Sequence, residues 1–364
     1  MHRHYRRRRH IGRALAAAGA LSALIVLPTT ISAASSAAPR SKSPLQQGLD
    51  FYRGKTITII EPGATGAIFD LIARTEATFL GQYLHAIVNV EDVTIGNTIP
   101  GQDDTAGAPP DGLTLGLLNM GNDASLTLTH TPGLSFNPSR LEFIAATAPS
   151  ASLMIAANSS PYSNLKSIVQ ASSPTVLMEN TGTVDVLAAS LLGIIKAHPN
   201  YVVGYTSIGS YVQGFVRGDG PIMMTNLAST GALVANGVAH SILVTAVPPQ
   251  GTLYRQYATG VPTFAQVQKE YPPKTALEKR EWKALDSFFG ASSTPLVTQT
   301  SVASYKLAAL RAASVWMFHQ TAFKTQMLGE GQNPNYIDPV QAKSDYLTVL
   351  KYGTILLPFF SRFT

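Results

Sequence analysis

The stretch Thr56-Ile57-Thr58-Ile59-Ile60-Glu61-Pro62-Gly63-Ala64-Thr65-Gly66-Ala67-Ile68-Phe69-Asp70 decides how this chain is read. Thr56–Ile60 is a β-branched run, which suits a strand. Ile68, Leu71, Ile72, Thr75 and Phe79 then recur at helical spacing and predict a helix over 68–80. Between them lies a loop of Pro, Gly and small residues. At such a junction the unpaired N–H groups of the helix start and the helix dipole favour an anion, and small residues let a ligand reach the main chain. A second junction, Glu179-Asn180-Thr181-Gly182-Thr183-Val184-Asp185, has the same build, with hydroxyls at Thr181 and Thr183. Either loop could equally be an ordinary strand-to-helix turn with capping residues, and spacing alone leaves both readings open.

Outward from these loops, strands and helices alternate. Apolar runs predict strands at 87–90, 113–118, 143–147, 153–157, 176–179, 202–205, 222–225 and 242–246. Helices are expected at 163–171, 184–197, 210–217 and 228–236, and Pro109-Pro110-Asp111-Gly112 reads as a turn. Continuous apolar strands between helices predict parallel sheets covered on both faces, here in two α/β lobes. Both loops fall at the carboxyl ends of strands, where open α/β sheets bind ligands. The last third is mostly helical, with amphipathic stretches at 305–319 and 340–359, and is expected to pack back onto the first lobe.

The N-terminus reads as an address. Residues 1–13 hold six arginines, residues 14–27 (ALAAAGALSALIVL) are uncharged, and small-residue cleavage sites follow near Ala33 and Ala38. Fourteen residues span about 21 Å as a helix, short of a bilayer core of roughly 30 Å. Residues 1–33 are therefore expected to be an export signal and 34–50 a flexible linker, with the mature protein outside the cytoplasm, periplasmic or extracellular. An uncleaved signal would leave it membrane-tethered. Arg8-Arg9 forms a partial twin-Arg pattern.

Composition removes several functions. There is no cysteine, which excludes disulfide frameworks, iron–sulfur clusters and thiol catalysis. Net charge is +6, but six of the 27 lysines and arginines stand in the acid-free residues 1–33. The remaining 21 balance the 21 aspartates and glutamates. A neutral body lacks the phosphate-neutralising surface of a nucleic-acid binder. His85, His130, His198, His240 and His319 lie far apart without metal-ligand spacing, and no GxSxG or GxGxxG motif is present. Gly54-Lys55-Thr56 precedes a strand, where a phosphate loop follows one, and Asp103-Asp104 reads as a polar loop. No catalytic residue, metal or cofactor is expected.

Tyr52–Leu118 resembles the start of the Bug-type extracytoplasmic substrate-binding proteins of tripartite tricarboxylate transporters. The resemblance rests on Tyr52-Arg53-Gly54-Lys55-Thr56-Ile57, the Asp-closed loop Pro62–Asp70, Leu80-Gly81-Gln82, Ile87–Asp92 and Ala108-Pro109-Pro110-Asp111-Gly112-Leu113-Thr114-Leu115. It continues through Leu134–Pro138, Val203-Gly204-Tyr205 and Gly260-Val261-Pro262-Thr263-Phe264. It implies a periplasmic-binding-protein type II fold, with lobe 1 from 51–152 and 276–364 and lobe 2 from 153–275, closing on a ligand cleft. It implies ligand contacts at Pro62, Gly66, Ala67 and Asp70 in one lobe and Thr181, Gly182, Thr183 and Asp185 in the other. Phe69 replaces the family's small hydroxyl residue, so a ring narrows the pocket or favours an apolar ligand. Thr225 replaces an Asp common in the family. Asp70 and Asp185 would repel a carboxylate on direct contact and suit capping or holding water or a ligand hydroxyl or amine.

The expected protein is thus a monomeric receptor that captures a small organic acid and delivers it to membrane permease subunits, without catalysis. A sensor subunit that presents ligand to a signalling partner is the alternative. A secreted hydrolase lacks the nucleophile–base pair it would need.

Overall fold

Ser43 starts the first helix: its Oγ accepts from the Gln46 N–H at 3.2 Å, and Pro44 takes the first helical position. The computed structural model describes residues 41–361 apart from 64, 94–97, 136, 138–139, 180–181 and 206. The expected export signal and residues 34–40 of the expected linker lie outside the described residues. The rest of that linker is corrected, because α1 (Pro44–Tyr52) packs against the body of the protein. Gly48 permits the close approach, since a Cβ there would stand 2.2 Å from the Tyr305 carbonyl oxygen. Buried Tyr52 donates its hydroxyl to the Gly112 carbonyl at 3.0 Å.

The chain continues through β1 (Thr56–Glu61), α2 (Ile68–Leu84), β2 (Ile87–Asp92), α3 (Ile99–Gly107), β3 (Thr114–Leu117), α4 (Met120–Leu128) and β4 (Leu141–Thr147). It crosses to β5 (Ser152–Ala157), α5 (Leu165–Gln170), β6 (Thr175–Leu177), α6 (Thr183–Ile194), β7 (Asn200–Val202) and α7 (Ile208–Arg217). There follow β8 (Ile222–Asn226), α8 (Leu227–Ala235), β9 (Ala239–Val244), α9 (Arg255–Ala258) and α10 (Phe264–Glu270). The last third holds α11 (Ala276–Gly290), β10 (Thr294–Gln299), α12 (Ser304–His319), α13 (Thr321–Gly329), β11 (Tyr336–Ile337), α14 (Pro339–Tyr352) and α15 (Leu357–Phe360). Asp103 and Asp104, expected in a loop, stand on α3. No helix among the described residues is long and apolar enough to cross a membrane.

Two sheets result. One has the order β11-β4-β10-β3-β1-β2, the other β7-β6-β8-β5-β9. β1 is parallel to β2 and β3, and β6 to β7 and β8, as βα crossovers require. The expectation of wholly parallel sheets is corrected. β10 returns from the last third to lie antiparallel between β3 and β4, and β5 is antiparallel to β8 and β9. Ser150, on the crossover between the sheets, is tied to the last third: its hydroxyl donates to Gln332 Oε1 at 2.8 Å and accepts from the Asn333 N–H at 3.0 Å.

One core lies behind the first sheet, around Ile57, Ile59, Leu80, Leu115, Leu310 and Phe323. A second runs between the sheets, joining Met120 and Leu128 to Val186, Leu191, Trp282, Phe288, Tyr346 and Phe360. Each such side chain contributes about 1.5–3 kcal/mol by leaving water. The last third therefore does not pack on the first lobe alone. α15 lies on α6, where Gly193 leaves room for the Phe359 ring; a Cβ would meet it at 2.3 Å.

Candidate functional site

The first loop is built from its buried acids upward. Glu61 ends β1 fully buried, and its carboxyl presses on Gly63, where a Cβ would stand 2.5 Å from Oε1. Burial pushes the Glu61 pKa up to about 7, against the opposing effect of the Gly63 N–H. Gly66 turns the chain at φ +79°, a conformation glycine adopts without strain. α2 then starts at Ala67 with no side-chain cap. Asp70, in the first turn, reaches back instead: Oδ2 accepts from the Gly66 N–H at 2.8 Å, and Oδ1 pairs with Arg74 at 2.6 Å. Arg74 bridges on to Asp92 at 3.0 Å, and Asp92 accepts from the Thr65 hydroxyl at 2.6 Å. Burial raises the Asp70 pKa, but the Gly66 N–H and Arg74 outweigh it and hold the carboxyl below its ordinary range.

The second loop repeats the device. Asp185 occupies in α6 the place of Asp70 in α2, and its Oδ1 accepts from the Glu179 N–H at 3.2 Å. Gly182 precedes the helix, again without a side-chain cap. The first turn of each helix leaves N–H groups that have no partner within the helix, and their dipoles point outward from the start.

Both starts open into one cleft of about 890 Å³. Pro62, Gly66, Ala67 and Phe69 line it from the first loop, and Gly182, Thr183 and Asp185 from the second. Asp70 does not line it; the residue is only 2% exposed and lies beneath the loop it ties. Thr181 lies outside the described residues. Thr183 carries a correction: its hydroxyl is not left for a ligand but donates to Asn119 Oδ1 at 3.0 Å.

Further polar groups reach the cleft from elements not singled out in the sequence: Thr98, Asn122, Ser152, Tyr211, Asn226 and Gln332. Asn119 lies just past β3 as the N-cap of α4, and Asn226 ends β8 and caps α8, so the rule that located the two loops also locates them. Gln332 and Glu330 come from the far end of the chain and carry no local signal. Thr225, noted above as a departure, is on the wall, as are Ile68, Leu71, Val184, Leu187, Ile208 and Phe289. None of the five histidines among the described residues lines the cleft; His240, for example, is held by Asn158 and the Tyr162 carbonyl, each at 2.8 Å.

Among the described lining residues there are three acids (Glu179, Asp185 and Glu330) and no Lys, Arg or His. Burial pushes the Glu179 pKa up to about 7. Burial also raises Glu330, opposed by hydrogen bonds from Gln326 and Thr75. The cleft can therefore bind an anion through main-chain dipoles and amides, and a donor through its carboxyls.

No known protein-family pattern matches the sequence, and no curated protein matches it. Solved structures do resemble it in fold. MatC from Rhodopseudomonas palustris with bound malate is 17% identical, with a TM-score of 0.62 over 83% of this chain and 99% of that one. A TctC solute binding protein from Polaromonas is 14% identical, with a TM-score of 0.63 over 84% of this chain and 99% of its own. An R. palustris protein with adipate is 12% identical, with a TM-score of 0.63 over 84% and 97%. The chain has the two-lobed α/β fold of these proteins, the periplasmic-binding-protein type II fold expected above.

Proposed function

We propose that the protein is an extracytoplasmic solute-binding receptor of the Bug type, which captures a small organic carboxylate between its lobes and delivers it to a tripartite tricarboxylate-type permease. One observation carries this reading: two helix starts without a side-chain cap, α2 and α6, meet in a single cleft that no cationic side chain among the described residues lines. Opposed helix N-termini stabilise an anion without a counter-ion and without the entropy of ordering a long side chain. Malate in MatC and adipate in the R. palustris protein support a carboxylate as the anion.

In this reading lobe 1 comprises 51–152 and 276–364, and lobe 2 comprises 153–275. Pro62, Gly66, Ala67 and Phe69 meet the ligand from lobe 1, and Thr181, Gly182 and the main chain of Thr183 from lobe 2. Asp70 and Asp185 hold the loops. Closure removes water from the dipoles, which raises their effect on the bound charge. The protein acts as an exported monomer and performs no chemistry on its ligand. A thermal-shift screen with small organic acids tests this: one or more acids are expected to raise Tm by several degrees. A flat response across aliphatic, hydroxy, amino and aromatic acids overturns it.

A further inference from the structure

Around the two helix starts the cleft is lopsided in charge. On the α2 side Asp70 is turned away, spent on Gly66 and Arg74, and the wall is Ala67, Ile68, Phe69 and Leu71. On the α6 side Glu179 and Asp185 both reach the lining. Among the described residues no hydrogen-bond donor meets the Glu179 carboxyl; only its main-chain N–H is engaged, by Asp185. The neighbouring Tyr211 hydroxyl cannot serve, since it donates to the Leu177 carbonyl at 2.8 Å and lies 3.3 Å from that of Met224. Glu330, the third acid, stands on the α2 side about two turns beyond the helix start, where its Oε1 accepts from Thr75 and Gln326 and its Oε2 is buried without a partner.

We propose that the ligand carries one carboxylate, held at the start of α2, and a protonated nitrogen that faces Glu179, so that the cleft rejects dicarboxylates. This rests on the receptor reading above and departs from the malate and adipate of the similar structures. A second carboxylate beside Glu179 would either add a like charge out of water or have to hold Glu179 in its protonated form, and both disfavour it against a cation. An ammonium supplies the missing donors. It also neutralises a carboxyl that burial alone now keeps partly protonated at neutral pH, with its pKa at about 7.

The test compares ligands of matched length by calorimetry on the full chain: β-alanine against succinate, γ-aminobutyrate against glutarate, and δ-aminovalerate against adipate. Propionate, butyrate and valerate are the controls. In the best-fitting pair the amino acid is expected to bind roughly tenfold or more tightly than the diacid. Glu179→Gln is expected to remove that preference while the unliganded Tm stays within a few degrees. A diacid that binds more tightly than its amino partner overturns the proposal, as does a preference that survives Glu179→Gln. Binding of the plain acids with no gain from nitrogen overturns the nitrogen and keeps the receptor. No binding in any series overturns the proposal, and together with a flat thermal-shift screen it overturns the receptor reading as well.

Discussion

The Thr183 hydroxyl donates to Asn119 Oδ1 at 3.0 Å, joining the start of α6 to the start of α4 across the cleft. Gly121 makes the contact possible. A Cβ there would stand 2.4 Å from Thr183 Oγ1 and 2.5 Å from its methyl group, so one of the two must shift. The two sheets thus meet at one small-residue notch beside the proposed ligand, and the width of the cleft is set where Thr183 seats.

Gly121→Ala is expected to push the lobes apart. Ligand affinity should fall at least tenfold, and small-angle scattering should report a larger radius of gyration. Thr183→Ala removes the two nearest atoms and leaves its Cβ at 2.9 Å, so the double variant should recover much of the loss. Strictly additive effects would mean the two residues do not meet in solution.

Asp70→Ala is expected to cost about 1–3 kcal/mol in denaturant unfolding, because the buried carboxyl holds the Gly66 N–H and Arg74. Arg74→Ala should cost less, about 1 kcal/mol or under, since its side chain is 48% exposed and its charge is screened. Equal losses would place the stabilisation in the ion pair, not in the tie to the loop.

Acidity should matter in a definite direction. Burial raises the pKa of Glu61 and Glu179 to about 7 and that of Glu76 to about 8, from an ordinary 4.5. Each is neutral in both states below about 4.5, where its full contribution is present, and loses that contribution as pH rises through 7–8. Asp70, held below its ordinary range, acts oppositely: its contribution is present above the usual aspartate pKa and is lost in stronger acid. Tm should therefore peak between these limits and fall by several degrees from about pH 5.5 to pH 8 in calorimetry. Glu76→Gln should flatten the fall most, and a slope unchanged by it would contradict its assignment.

Much of this architecture can be read from local pattern. β1, β2, β4, β5 and β8 follow apolar or β-branched runs, and the two loops stand at strand ends where Gly and small residues gather. What escaped has no local cause. α4 is buried almost all round, so its apolar residues carry no helical stripe. α3 begins Ile99-Pro100-Gly101, and its place depends on packing, with Gly101 fitted against Pro62 and Ile60. β10 pairs with β3 and β4 from more than a hundred residues away, and no periodicity announces such a partner. For the same reason Glu330 and Gln332 could not be assigned to the cleft, and Thr183 read as a free donor until Asn119 met it.

Phe69 tests how far the pocket is tuned to its ligand. The half-buried ring lines the cleft at the start of α2. Phe69→Ser should widen the range of acids that raise Tm and weaken the best apolar ones by about tenfold or more, following the loss of roughly 1.5–3 kcal/mol of apolar contact. An unchanged ranking would take the ring out of ligand choice.

Calorimetry with a ligand from the acid screen tests the shared cleft most directly, using wild type and two single variants, Ala67→Trp at the α2 start and Gly182→Phe at the α6 start. Both sites have negative φ, so neither change forces the backbone. One-site binding to wild type that is lost in each variant, with both still folded, is the expected result. Undiminished binding in both variants would put the ligand elsewhere and contradict a cleft in which the two helix starts act together.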